Sequence, residues 1–309
     1  MRSQGKVIGT QAARFAVGTA AAMAMGAAAP NVGAAGPVMY THNICGALGC
    51  QWQGSTSVLD PLKFSVAAVP PAETPMAIGL QESCGNQFND FKNFLRTRDS
   101  RYWGIHYSQV ATTECGSGTQ NYGVSAYSLA SYNPFSNGAW YGSGPYSQQA
   151  PQGDGEARGW ACVSGGASAP LYWSCSSHLT PADQTTARQQ FNSYFTGVVA
   201  PRLFTGTQVL WGGDFYITQP NLPVASPSFS YTNNREADLC LPGTNGYRWT
   251  FRNKANGALS KYDYAFRSSM TSNCATDAVL APASASDMWD GVPPHPFPSD
   301  HRILGGYQP

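Results

Sequence analysis

Seven side chains in this sequence carry chemistry that an ordinary loop does not require. Asp300 and His301 stand together in Ser299-Asp300-His301, next to the prolines of His295-Pro296-Phe297-Pro298. They place a hard oxygen ligand beside a group that titrates near neutral pH. Upstream, Asn43, Glu82, His178, Asp214 and Asp263 each fall at a strand end, a strand-to-helix corner or in a short strand. Each has an ordinary reading alone: Asn43 a turn residue, Glu82 a solvated acid at a helix start, His301 a solvated ring in a capped turn. Together they are carboxylates, imidazoles and an amide suited to metal-assisted hydrolysis, with oxygens for Mg²⁺ and a ring nitrogen to move a proton. Serine or cysteine nucleophiles fit less well. The Gly-x-Ser-x-Gly elbow is absent, as is the phosphate-cradling Gly-x-x-x-x-Gly-Lys loop.

The elements that must position these groups are legible from periodicity. Residues 37–44 read as a strand ending at Asn43, and residues 77–84 as a short apolar run that delivers Glu82. Phe88, Phe91, Phe94 and Leu95 follow at helical spacing and face the core. Residues 102–107 and 122–129 read as strands, with His106 a strand residue of no assigned role. Residues 131–157, rich in Gly, Pro, Ser, Asn and Tyr, read as one long loop. Residues 158–163 and 171–178 form a hairpin that sets Cys162 across from Cys175 and ends at His178. A helix then starts with Thr180 as its cap, Pro181 at its first position and Asp183 at its third, and runs to about Val199, with Phe191, Tyr194 and Phe195 inward. Residues 207–216 are an apolar strand delivering Asp214 after two glycines. Residues 235–246 are loop, and Lys261–Phe266 is a strand whose alternation sets Asp263 opposite its tyrosines.

Composition bounds the class. The chain has 309 residues, of which only 11% are charged and 12% aromatic; this describes a strand-rich and loop-rich globular protein. Residues 1–35 are a different text: Arg2, Lys6 and Arg14 precede an Ala- and Met-rich apolar run and then small residues, the order of a secretory signal. The expected division is therefore a signal over residues 1–35 and one domain over 36–309, with a secreted, monomeric product and no transmembrane segment. Without those three cations the net charge of +1 becomes slightly negative, so there is no basic footprint for tight nonspecific nucleic-acid binding. Eight cysteines all follow the signal, and an even count in an exported chain suggests disulfides. Local closure favours Cys45–Cys50, Cys84–Cys115, Cys162–Cys175 and Cys240–Cys274. The absence of Cys-x-x-Cys argues against zinc.

The ordered motifs Thr-His-Asn, Gln-Glu, Ser-His-Leu, Gly-Gly-Asp-Phe, Lys-Tyr-Asp-Tyr and Ser-Asp-His, which end on His301, resemble the endonuclease/exonuclease/phosphatase superfamily, the DNase I-like fold, over residues 37–305. The resemblance implies an α+β fold, a four-layer sandwich of two packed mixed β-sheets with helices on both outer faces. It implies Glu82, Asn43 and Asp300 around a metal, Mg²⁺ with Mn²⁺ or Ca²⁺ as alternatives. It gives His301 the role of catalytic histidine, oriented by Asp263, with Asp214 positioning the attacking water and His178 contacting the scissile phosphate. Arg158 stands where some members place an arginine on a phosphate. One departure concerns Tyr216, in Gly213-Asp214-Phe215-Tyr216, where the family usually has Asn; a phenol can donate one hydrogen bond there but reaches further. The leading expectation is a phosphodiesterase acting on nucleic acid. A phosphatase or sphingomyelinase-like phospholipase is the alternative, and a non-catalytic binding protein the third reading.

Overall fold

The computed structural model describes residues 37–45, 54–69, 75–111, 115, 121–149, 156–203, 205–218, 221–223, 234–236, 250–252, 256–268, 277–280, 299, 301 and 303–307. In chain order the elements are β1 (Pro37–Asn43), α1 (Asp60–Ala68), β2 (Ala77–Cys84), α2 (Gly85–Arg98), β3 (Tyr102–Ala111), β4 (Asn121–Leu129), β5 (Tyr141–Pro145), β6 (Gly159–Gly165) and β7 (Tyr172–His178). They continue with α3 (Gln184–Tyr194), α4 (Ala200–Leu203), β8 (Gln208–Asp214), β9 (Asn234–Glu236), β10 (Phe251–Arg252), β11 (Leu259–Ser260), β12 (Asp263–Ser268), β13 (Asp277–Leu280) and β14 (Ile303–Tyr307). Among the described residues two six-stranded sheets form, in the orders β13-β14-β1-β2-β4-β3 and β5-β6-β7-β8-β12-β9, with β10 and β11 a separate hairpin.

Both sheets are mixed. β1 runs parallel to β2 and β7 parallel to β8, while the remaining pairs are antiparallel. The parallel pairs gather the C-terminal ends of four strands at one end of the sandwich. Alternation of side chains then splits each strand between two layers. From β1 and β2, Tyr40, Ile78 and Leu80 pack outward against Leu62 and Val66 of α1 and Phe91 and Leu95 of α2. On the second sheet Trp211, Tyr264 and Phe266 pack outward against Phe191, Tyr194 and Phe195. Between the sheets Met39 and Leu304 pack against Tyr172 and Leu210, Val124 and Ala126 meet Ala161 and Val163, and Gln81 donates to Ser176 Oγ at 2.8 Å and Thr41 Oγ1 at 3.0 Å. This is the expected arrangement of two packed mixed sheets with helices on both faces. No helix among the described residues is long and apolar enough to cross a membrane.

Four local expectations are corrected. The helix after β7 starts at Gln184 with Asp183 as its cap, because the Asp183 carboxylate accepts from Thr186 N at 2.7 Å while Thr180 Oγ1 is taken by Ala182 N in the preceding turn. It also runs beyond Val199. Pro201 has no N–H to give the helix, and a π-turn over Phe195–Val199, closed by Ala200 N–H to Phe195 O, carries the chain into α4. The stretch 131–157 is not all loop: β5 pairs with β6 from Tyr141↔Val163 to Pro145↔Gly159. Its alternating glycines hide it from a propensity reading, yet Gly142 is where the chain passes the Trp160 ring, 3.2 Å from where a Cβ would stand. Finally, Arg235 and Glu236 of the expected loop belong to β9, which pairs with β12, and the rest of that loop lies outside the described residues.

Two disulfides close within the described residues, Cys84–Cys115 and Cys162–Cys175, the latter joining directly opposed residues of β6 and β7. Cys45 is also disulfide-bonded. Cys50, Cys240 and Cys274 lie outside the described residues, as do residues 1–35.

Candidate active site

Every described residue singled out for chemistry lies at one end of the sandwich. Asn43 ends β1, and Glu82 stands near the end of β2, at a bulge in the β2–β4 ladder between Leu80 and Ser83. Glu82 has φ +53°, a left-handed conformation that non-glycine residues adopt at a cost of order 1 kcal/mol or more. Its side chain is 23% exposed. His178 ends β7 and pairs with Asp214 at the end of β8, which pairs across to Asp263 at the start of β12. Gly213 makes this pairing possible: its φ is +151°, and a Cβ there would sit 1.8 Å from Ser177 O.

His301 arrives from the opposite direction, just ahead of β14. Ser299 Oγ donates to Asn43 O at 2.6 Å and accepts from His301 N at 3.0 Å. A backbone bridge ties His301 to Phe251. Thr250 Oγ1 accepts from both Tyr262 N and Asp263 N, at 3.1 and 2.9 Å, so the β10–β11 hairpin is fastened to the strand that carries Asp263. Ser299, Thr250 and Phe251 had no individual role in the sequence reading. Only the Ser-Asp-His motif hinted at the first, and nothing local marks the other two.

The side chains form one connected cluster. Asn43 Nδ2 donates to Glu82 Oε1 and to Asp214 Oδ2, each at 3.0 Å, while its Oδ1 accepts from Cys45 N at 3.0 Å. His301 Nδ1 lies 2.7 Å from Asp263 Oδ2, and His301 Nε2 lies 3.6 Å from Asp214 Oδ2. His178 Nε2 is 3.7 Å from both Glu82 Oε1 and Asp214 Oδ2. Arg158 Nη1 lies against the His178 ring, 2.6 Å from Nδ1 and 3.0 Å from Nε2, and 2.8 Å from Glu156 Oε2. Arg158 is therefore buried against the ring whose Nε2 faces the carboxylates. Tyr216 (φ +50°) donates its backbone N–H to Asp214 Oδ1 at 3.1 Å, and its ring stacks on Tyr262 with centroids 4.5 Å apart. Asp300 lies outside the described residues.

Burial sets the electrostatics. Asp214 is pushed up to about 6, first by burial and then by the neighbouring Asp263 and Glu82, against the pull of His301 and Asn43. His178 is held well below its ordinary value by burial, then by the Arg158 guanidinium and His301, so it is neutral at neutral pH. His42, beneath Asn43 on the outer face of β1, is lowered to about 3 by burial first and by His301 second.

This is a site short of positive charge. Glu82 and Asp214 bring oxygens to a single amide, and Asp263 keeps a second buried oxygen, Oδ1, with no hydrogen-bond donor among the described residues. Such an oxygen-rich donor set suits a hard divalent cation. Asp214, Asp263 and His301 also offer ligand atoms within 4.8 Å of one another. His301 Nδ1 is already engaged by Asp263, however, so the oxygens of Glu82 and Asp214 are the better part of the donor set for Mg²⁺.

No family model and no curated protein matches this sequence. Solved structures do. TDP2 from D. rerio, complexed with single strand DNA product, is 14% identical over 88% of this chain and 98% of that chain, with a TM-score of 0.52. The human Nocturnin catalytic domain with bound sulfate anion is 15% identical over 88% and 93%, with a TM-score of 0.56. An endonuclease/exonuclease/phosphatase family protein from Bacteroides thetaiotaomicron is 14% identical over 87% and 96%, also at 0.56. Two packed mixed sheets with strand-end acids at one edge, and this likeness along nearly the whole length of each, identify the fold of the chain as that of the endonuclease/exonuclease/phosphatase superfamily.

Proposed function

We propose that this chain is an exported, monomeric, divalent-metal-dependent phosphodiester hydrolase that acts on nucleic acid. The observation that carries the reading is the Asp263–His301 contact of 2.7 Å, set 3.6 Å from Asp214 on the strand ends that also bring Glu82 and Asn43. Glu82 and Asp214, with Asn43 and Asp300, would hold the cation, Mg²⁺ by the chemistry of the donors, with Mn²⁺ or Ca²⁺ as alternatives. When bound it supplies positive charge to the phosphate oxygens as charge develops there. Asp263 accepts from Nδ1–H and so fixes the His301 tautomer, leaving Nε2 to take or give the proton in transfer. Asp214 faces Nε2 with an oxygen that can orient a water. His178 would contact a phosphate oxygen, and Arg158, packed against its ring, adds positive charge.

The DNA product held by a protein of the same fold supports a nucleic-acid substrate. The charged, apolar, small-residue order of residues 1–35 supports export, and the disulfides fit an oxidising compartment. Purified mature protein should nick supercoiled plasmid with Mg²⁺ and stop with EDTA, and the His301→Ala variant should be inactive while folded. A folded wild-type protein that leaves plasmid intact but releases phosphate or a phosphorylated headgroup would replace this reading with the phosphatase or phospholipase alternative.

A further inference from the structure

We propose that Tyr216, Tyr262 and Phe251 form a stacking platform that receives a nucleobase of the substrate beside the reacting phosphate. The inference rests on the phosphodiesterase reading above and deepens it from a phosphodiester to a nucleotide.

The three rings make a column. Tyr216 lies on Tyr262 at 4.5 Å between centroids and 17° between planes, Tyr262 meets Phe251 at 5.3 Å and 40°, and Phe251 meets the His301 ring at 4.9 Å and 50°. All three are half-buried, and none belongs to the core beside it, although their sequence neighbours Phe215 and Tyr264 do. The column follows the row of acidic groups almost residue by residue. Tyr216 is held through its N–H on Asp214 Oδ1, Tyr262 is bonded in sequence to Asp263, and Phe251 bridges His301. The Thr250 hydroxyl locks the hairpin to this row through the N–H groups of Tyr262 and Asp263. A bulky residue at φ +50°, as Tyr216 is, persists where its surroundings fix it and clusters at ligand-binding positions.

The geometry also selects the ligand. A quaternary ammonium headgroup is held by a box of rings that face inward around the cation. Here the rings are nearer to parallel and succeed one another. A stack of that kind is extended by another planar ring, and base-on-aromatic stacking tolerates any base because each has a π-face. Tyr216 thus departs from the family asparagine by supplying a ring to the substrate, with its backbone N–H left to serve Asp214.

The test compares ligands that differ only in the base. Calorimetric titration in Mg²⁺ measures binding of AMP, ribose 5-phosphate and phosphocholine to the wild-type protein. AMP should bind roughly ten-fold or more tightly than ribose 5-phosphate, the scale of one stacked base. The Tyr216→Asn and Tyr262→Leu variants, shown folded by circular dichroism, should lose most of that margin. Equal affinity for AMP and ribose 5-phosphate, tighter binding of phosphocholine, or no AMP binding by folded protein would each overturn the proposal. Binding of this kind requires no turnover. A protein that favours AMP but cleaves no phosphodiester would refute the hydrolase reading and leave the platform standing.

Discussion

Replacing Asp214 by Asn removes the charge that this site holds least comfortably without a cation. The Asp214 carboxyl is pushed from its ordinary 3.8 to about 6, chiefly by burial. Two units correspond to about 3 kcal/mol of penalty against the charged form. The sign follows from linkage. The folded state keeps this proton to higher pH than the unfolded chain does, so wild-type stability is greatest below the ordinary value, falls as pH rises from about 4 to about 6, and is flat beyond. An Asn at 214 is neutral throughout. Its single oxygen can accept from Asn43 Nδ2 or from Tyr216 N, both of which Asp214 now satisfies, and the lost bond costs about 1–2 kcal/mol. In EDTA the variant should therefore be about 1–2 kcal/mol more stable than wild type at pH 7–8, and about 1 kcal/mol less stable at pH 4. Urea unfolding from pH 4 to 8 reads this directly. A difference between the two proteins that does not change with pH would refute the reasoning, as would a variant less stable than wild type at pH 8. Millimolar Mg²⁺ should then stabilise the wild type and do little for the variant, and the variant should lose hydrolysis.

Three further outcomes are expected. Asp263→Asn should leave the fold intact but lower kcat by roughly 10²- to 10⁴-fold, since the Asp263–His301 bond that fixes the ring is replaced by one that accepts the wrong tautomer; hydrolysis within ten-fold of wild type would remove His301 from proton transfer. Ser299→Ala strips the buried hydroxyl that joins Asn43 O to His301 N and should cost about 1–2 kcal/mol in thermal unfolding, together with a fall in kcat larger than any rise in KM. Replacing both Cys162 and Cys175 by Ala, which opens a short loop across the centre of the second sheet with a sequence separation of 13, should lower stability by about 3 kcal/mol, seen as an earlier urea midpoint without reductant.

The elements that bear the site are coded locally. Short apolar runs marked the strands that deliver Glu82 and Asp214, a hairpin pattern marked the strand that ends at His178, and helical spacing of Phe91 and Leu95 marked α2. The hairpin pattern placed Cys162 against Cys175, as the sheet register does. These are local properties, coded within a turn or a strand length. Even there, Asp183 outcompeted Thr180 as the helix cap because an ionised carboxylate nearer the first turn accepts the N–H of Thr186, and β5 stayed hidden because its strand is made by pairing with β6 and not by propensity.

How those groups meet is set by packing between distant segments. Asn43 and Asp214 are 171 residues apart, and Ser299 reaches Asn43 across 256; no spacing along a chain encodes contacts of that length. The same holds for the electrostatics. Asp214 is an ordinary acid in sequence, and its raised pKa exists because two sheets exclude water and set Asp263 and Glu82 beside it. Arg158 acquires its place against His178, and Tyr216 its ring partner, from neighbours contributed by other strands. Identity and periodicity are written residue by residue, whereas register, burial and the field at a buried atom are properties of layers that come together only when the chain folds.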